Sequence, residues 1–373
     1  MKEMTPREVS ALPSNNLVNL SSSILHRFGV TPFHKTIPEI DALFARHDKI
    51  AVFLFDGMGE WILNNHPKAG KLFLDNRFTL ISSTNPATTV AATTAFLTGK
   101  YPIETGWLGW SLPLREYNEP MICFTSASFL DGRPLGDRVM DRICPTEKID
   151  SLINKAGHRA ELLLQYGVGG NTNGPKTYKE SVPMASRFFK EGGEFLYIYF
   201  NTPDGYIHHH GVKGKEVDDC ISSEAEAVEA FVRENPDVLT LVIADHGLID
   251  IHEVDLNDYP EIMDCMRMPF SLEGRTCNFL LKEGREGEFL RLMKEKLPQF
   301  RLMSREEALK SHYFGEGTPH PRSASFLGDY IAIAEDDSLI VDPVNVRTNA
   351  PMKAHHAGPS AREKNIVVAA FNK

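Results

Sequence analysis

The sequence predicts an α/β fold with a mostly parallel central sheet flanked by helices. Three observations predict it. First, residues 50–55, IAVFLF, are a continuous apolar run that stops at Asp56 and a Gly-Met-Gly turn. Second, two later runs share that design: FLYIYF at 195–200 empties into NTPDGYIHHHG, and VLTLVIA at 238–244 ends at Asp245 and His246. Short runs rich in β-branched and aromatic residues are strands buried on both faces, the signature of a parallel sheet. Third, Val217, Ile221, Ala225, Val228 and Val232 recur at spacings of three and four between those two later runs, which is helical periodicity. Strand, helix, strand is the logic of a parallel crossover. Open α/β sheets bind ligands beyond the carboxyl ends of their strands, and each run carries its acid there.

Taken in order, residues 1–48 read as a leader wrapping the core, with short helices over 17–28 and from Pro38. After the first strand, FTLISS at 78–83 is another short strand. It leads into TNPATTVAATTAFLTG at 84–99, a compact helix with Pro86 at its entry and Gly99 as its C-cap. Hydroxyls at such a helix N-terminus sit where free N–H groups favour an anion, although threonines more often only cap and pack. Residues 106–185, with Trp107, Trp110 and many glycines and prolines, read as an irregular insertion. Its YGVGGNTNG segment lacks the flanking strand and helix of a dinucleotide fingerprint, and no phosphate-binding G-x-x-x-x-G-K-[ST] loop occurs. Residues 254–325 form a second insertion, whose MDCMRMPF stretch reads as core filler. GDYIAIA at 328–334 is a strand, and a loop bearing His355 and His356 precedes a terminal strand. The expectation is one catalytic α/β domain over 1–373, capped by insertions at about 106–185 and 254–325.

Composition sets the outer bounds. At 373 residues, 42% hydrophobic and 24% charged, the chain is ordinary for a globular protein. A net charge of −10 argues against a nucleic-acid-binding surface and leaves small anionic substrates open. No apolar signal core marks the polar start, and no run approaches the ~18 apolar residues of a membrane span. Five cysteines without C-x-x-C spacing suit reduced thiols, so the expected setting is cytoplasmic.

A lone buried carboxylate is expensive and calls for a cation. Asp56 alone reads equally well as a helix cap. With Asp204, His208, Asp245, His246 and His356 beyond other strand ends or on the late loop, the ligand types form a set of three Asp and three His. Mixed N/O donors of that kind suit zinc or manganese and not calcium. Asp204 and His208 are four apart, which one helical turn brings to the same face. The hydroxyls of Thr88 and Thr89 complete the constellation.

These pieces, FDGMG at 55–59, NPATTVAATTAFLTGKYP at 85–102, TPDGYIH at 202–208, ADHG at 244–247 and HAG at 356–358, together resemble the alkaline phosphatase superfamily. Its type I phosphodiesterase/nucleotide pyrophosphatase branch is the nearest. The resemblance implies an alkaline-phosphatase-like fold holding two divalent metal ions, zinc or else manganese. By that resemblance Asp204, His208 and His356 hold one ion, and Asp56, Asp245 and His246 hold the other. It selects Thr89 as nucleophile, nine residues before the Thr98-Gly99 pair. Thr88 is one register away, as His355 is from His356. The implied reaction is cleavage of a phosphodiester or phosphoanhydride in a small-molecule phosphate ester through a covalent phosphothreonine. A phosphomonoesterase is the alternative, and a metal-stabilised binding protein the further one. Two hallmarks are missing: Trp110 stands where the pyrophosphatases carry an asparagine, and Tyr199 where the monoesterases carry a glutamate for an extra magnesium.

Overall fold

The computed structural model describes residues 11–341 and 351–373. Six strands form the central sheet: β1 (Ile50–Phe55), β2 (Arg77–Ser82), β3 (Ala160–Leu164), β4 (Phe195–Phe200), β5 (Leu239–Ile243) and β6 (Asn365–Phe371). Their order is β2-β6-β5-β1-β4-β3. β1 lies at the middle, parallel to β4 and β5, with Leu54 opposite both Tyr199 and Ile243. Only β6 runs against its neighbours, β2 and β5. Every residue of β1, β4, β5 and β6 is buried, which is why the three diagnostic runs are continuous and do not alternate. Each fully buried Val, Leu, Ile or Phe among them contributes roughly 1.5–3 kcal/mol.

Helices cover both faces. The expected leader helices occur as Leu17–Arg27 and Pro38–Phe44. The first packs on α1 (Thr89–Thr98), to which Ser21 Oγ donates at Phe96 O, 2.6 Å. α1 closes on Gly99, whose φ of 67° is the left-handed conformation that glycine adopts freely. α2 (Asp204–His210) follows β4 by a short turn.

The two expected insertions are not independent. They meet in one seven-stranded sheet, ordered 300–304, 330–334, 276–279, 271–272, 111–114, 119–122, 127–128. That sheet also recruits Tyr330–Ala334, beyond the expected boundary at 325. The other boundary moves inward. Helix Ile149–Lys155, β3 and helix Tyr178–Lys190 belong to the central layer, and β3 pairs in parallel with β4. β3 is an edge strand exposed in part, and the second helix carries Pro183 inside it. Both features removed the apolar signature that marks the inner elements.

Arg275 fastens the second sheet to the core. Its guanidinium is buried and reaches Glu363 at 2.7 and 3.2 Å and the carbonyls of Ser338 and Asp336 at 2.8 Å each. Glu363 also accepts from Gly358 N at 2.6 Å and Ser360 Oγ at 2.6 Å, which pins the loop after His356. Deleting one partner of such a pair costs about 3–5 kcal/mol, because the other charge is stranded.

Candidate metal centre

The carboxyl ends of β1, β4 and β5 converge, and short backbone links lock their loops together. Asp204 N donates to Asp56 O at 2.9 Å, and Gly57 N to Asp245 Oδ1 at 3.0 Å. Gly59 and Gly247 explain the glycines of the two motifs. A Cβ on Gly59 would lie 2.8 Å from Gly247 Cα, so the loops touch backbone to backbone.

Among the described residues, donor atoms within 4.8 Å of one another make three groups: Asp204, His208 and His356; Asp56, Asp204 and His246; and Glu273, His355 and His356. The first matches one expected ligand set. In the second Asp204 joins Asp56 and His246, so this carboxylate faces both positions. Asp245 stands beside them, its Oδ2 3.5 Å from His246 Nε2. α2 places Asp204 Oδ2 3.3 Å from His208 Nε2, the one-turn relation expected from their spacing. His208 Nδ1 lies 2.8 Å from Ala354 O, and His246 Nδ1 3.2 Å from Gly247 O. A carbonyl takes the Nδ1 proton in each case, which leaves Nε2 bare toward the carboxylates, as a ligating imidazole requires.

The residues fit a cation. Asp204 Oδ1, Asp245 Oδ2 and His356 Nδ1 are buried without a hydrogen-bond partner among the described residues, an arrangement stable proteins avoid unless something else occupies the lone pairs. Electrostatics agrees. Burial, then the charges of Asp245 and Asp204, push the Asp56 carboxyl well up. Burial likewise pushes Asp245 up to about 7. Burial would raise Asp204 too, but His208 beside it outweighs that and holds it low. His208 rises to about 9 against its own burial, chiefly through Asp204. His356 falls well below its usual value through burial, then through His246. Two buried acids that resist ionising, crowded beside the ionised Asp204, are what a divalent charge relieves.

The two threonines point apart. Thr89 Oγ1 lies 3.3 Å from Asp56 Oδ1 and 3.2 Å from His246 Nε2, inside the cluster. Thr88 is the N-cap, makes no side-chain cap bond, and donates instead to Glu273. Tyr199 donates its hydroxyl to Asp56 Oδ2, so the residue in place of the monoesterase glutamate anchors a carboxylate. Trp107 is buried and donates Nε1 to Cys144 O at 3.0 Å, which is packing. Trp110 is half-exposed, and its backbone N–H reaches Glu273 Oε1 at 3.2 Å. His210 faces Glu216 at 3.3 Å, and both His209 and His210 lie outside all three groups.

Sequence reasoning missed Glu273. It lies in the turn joining strands Ser271–Leu272 and Thr276–Phe279 of the second sheet, buried, with its carboxyl raised to about 7 by that burial. No local signal marks it, since Leu-Glu-Gly-Arg is an unremarked turn until the sheet folds over α1. Glu224, which no sequence signal singles out, is also fully buried, beside Cys220 at 3.5 Å.

Comparisons place this geometry among known proteins. Residues 50–358 match the family described as type I phosphodiesterase / nucleotide pyrophosphatase. No curated protein sequence matches the chain. Murine ectonucleotide pyrophosphatase/phosphodiesterase 5 is similar in structure at 15% identity and a TM-score of 0.66, over 87% of this chain and 88% of that one. An inactive threonine-to-alanine form of it, in complex with AMP, matches equally well. Phosphonoacetate hydrolase from Sinorhizobium meliloti 1021, in complex with phosphonoformate, matches at 13% identity and a TM-score of 0.65, over 87% and 90%. At such identities the likeness establishes the alkaline-phosphatase-like fold alone.

Proposed function

The chain belongs to the type I phosphodiesterase / nucleotide pyrophosphatase family and is a hydrolase of that phosphoric-ester-cleaving class, and from that premise we propose that it cleaves phosphodiesters or phosphoanhydrides through a phosphothreonine on Thr89. The observation that carries the proposal is the Thr89 hydroxyl, held 3.2–3.3 Å from Asp56 and His246 at the start of α1. In this reading Asp204, His208 and His356 hold one divalent ion, and Asp56, Asp245 and His246 the other. Zinc, or else manganese, suits these donors. When bound, such ions lower the pKa of a nearby hydroxyl and neutralise phosphoryl oxygens.

Thr89 Oγ1 attacks phosphorus in line, its proton passes to solvent, and the bond to the leaving oxygen breaks, that oxygen taking up a proton from water and departing as the alcohol or phosphate. Water then cleaves the phosphothreonine and regenerates the hydroxyl. The unpaired N–H groups of the first turn of α1 face the phosphoryl oxygens, and Tyr199 keeps Asp56 oriented. The ligands of the two similar structures, AMP and phosphonoformate, support a small phosphoryl compound as substrate, and the inactive threonine-to-alanine form supports a threonine at the centre. Five buried cysteines without C-x-x-C spacing support a reducing, cytoplasmic setting.

A diester is preferred over a monoester because it brings one non-bridging charge and not two for the two-ion cluster to neutralise. Trp110 at the asparagine position keeps the proposal at diesters in general, without singling out nucleotides. The test compares kcat/KM for an aryl phosphodiester and the matching aryl monoester on one metallated sample. The diester is expected to lead. A tenfold preference for the monoester, about 1.4 kcal/mol of transition-state stabilisation, reverses the assignment to a phosphatase.

A further inference from the structure

We propose that a third divalent cation binds between Glu273, His355 and His356, beside the two-ion cluster and on the Thr88 side of α1. A carboxylate and two imidazoles are a sufficient donor set for a borderline ion such as zinc or manganese, and their donor atoms lie within 4.8 Å of one another.

Glu273 is the centre of the argument. It is 6% exposed. Its Oε1 accepts from Thr88 Oγ1 and from Trp110 N–H. Its second carboxylate oxygen, Oε2, has no hydrogen bond to any described residue, which leaves it free for a cation. No lysine or arginine pairs with Glu273 among the described residues, and the nearby Arg275 guanidinium is spent on Glu363 and two backbone carbonyls. A lone carboxylate at the helix end that receives a phosphoryl anion works against that anion. A cation on Oε2 removes the conflict and turns repulsion into attraction.

His356 is common to both groups, and in this proposal it serves both ions as a bridging imidazolate, one ring nitrogen to each and its ring proton released to solvent. Nε2 lies 4.0 Å from Asp204 Oδ1, while Nδ1 is buried without a partner in a residue only 6% exposed. His355 packs against His356 with ring centroids 4.7 Å apart. The segments that carry the site are tied together by hydrogen bonds of the Arg275–Glu363 pair. Glu273 is two residues from the Arg275 clasp, and the clasp's Glu363 holds the loop that carries both histidines. Second-sheet residues thus complete a site on the core. If the two-ion reading also holds, the extra charge suits substrates with more than one ionised phosphoryl group, such as phosphoanhydrides.

The experiment is a metal count on the full chain. The protein is stripped with chelator, reloaded with zinc or manganese, desalted and analysed by mass spectrometry, alongside Glu273→Gln, His355→Gln and Asp56→Asn, with circular dichroism confirming folding. Three ions per wild-type chain, falling by one in Glu273→Gln and in His355→Gln, is the expected result. Two ions in wild type and still two in both variants overturns the third site and leaves the two-ion reading standing, with Glu273 reduced to an anchor for Thr88. One ion that is lost in Glu273→Gln and kept in Asp56→Asn upholds the new site and removes the two-ion reading instead. Three ions that neither variant lowers also overturns the proposal.

Discussion

Replacing Thr88 and Thr89 one at a time should separate stability from catalysis in opposite directions. The Thr89 hydroxyl makes long contacts, 3.3 Å to Asp56 and 3.2 Å to His246. Its net contribution as a hydrogen bond is at most about 1 kcal/mol, and its methyl group adds ~0.8 kcal/mol of burial. Thr89→Ala should therefore destabilise by about 1–2 kcal/mol, a few degrees in Tm at most. As the nucleophile it should cost at least ~1,000-fold in kcat, or about 4 kcal/mol of transition-state stabilisation. Thr88 is fully buried and donates to the Glu273 carboxylate. Hydrogen bonds to charged acceptors are worth about 1.5–3 kcal/mol, so with its methyl Thr88→Ala should lose about 2–4 kcal/mol of stability. Its kcat should fall less than ~10-fold. Thr89→Ser, which keeps the hydroxyl, should recover most of the turnover. The assays are aryl phosphodiester hydrolysis, metal content and thermal unfolding on the same preparations. A Thr89→Ala variant that keeps metals and more than about 1% of turnover would refute the covalent mechanism. A Thr88→Ala variant that is dead while folded and metallated would move the nucleophile by one residue.

Two further outcomes follow from the site. Tyr199→Phe removes the donor to Asp56 Oδ2 and should weaken metal retention about 10–100-fold, as loss of an outer-shell partner does, read by competition with a chelating dye; unchanged affinity would mean Tyr199 only fills space. In metal-free protein, burial holds Asp245 protonated up to about 7, while the unfolded carboxyl releases its proton near ~4. The folded state then binds more protons, so stability should fall as pH rises from about 4 to about 7. Saturating zinc should abolish that decline in thermal melts recorded at each pH.

The sequence by itself determined the inner sheet and most of the donor types. β1, β4 and β5 are buried on both faces, so each is a continuous apolar run legible within a few residues. The acids that end the runs stand out because a charge at the edge of such a run is locally improbable. The spacing of Asp204 and His208 also declared itself locally, since one helical turn is a property of the chain alone. Tertiary structure decided what distance along the chain conceals. Which adjacent threonine faces the cluster depends on Asp56, 33 residues away, and His246, 157 away. Glu273 meets Thr88 across 185 residues, and nothing in its own turn forecasts burial. The second sheet pairs strands from both insertions with Tyr330–Ala334, and β3 hid as a part-exposed edge. Periodicity reports how much of a segment is buried and on which side. It carries no information about the partner doing the burying, and at this site the partner sets the chemistry.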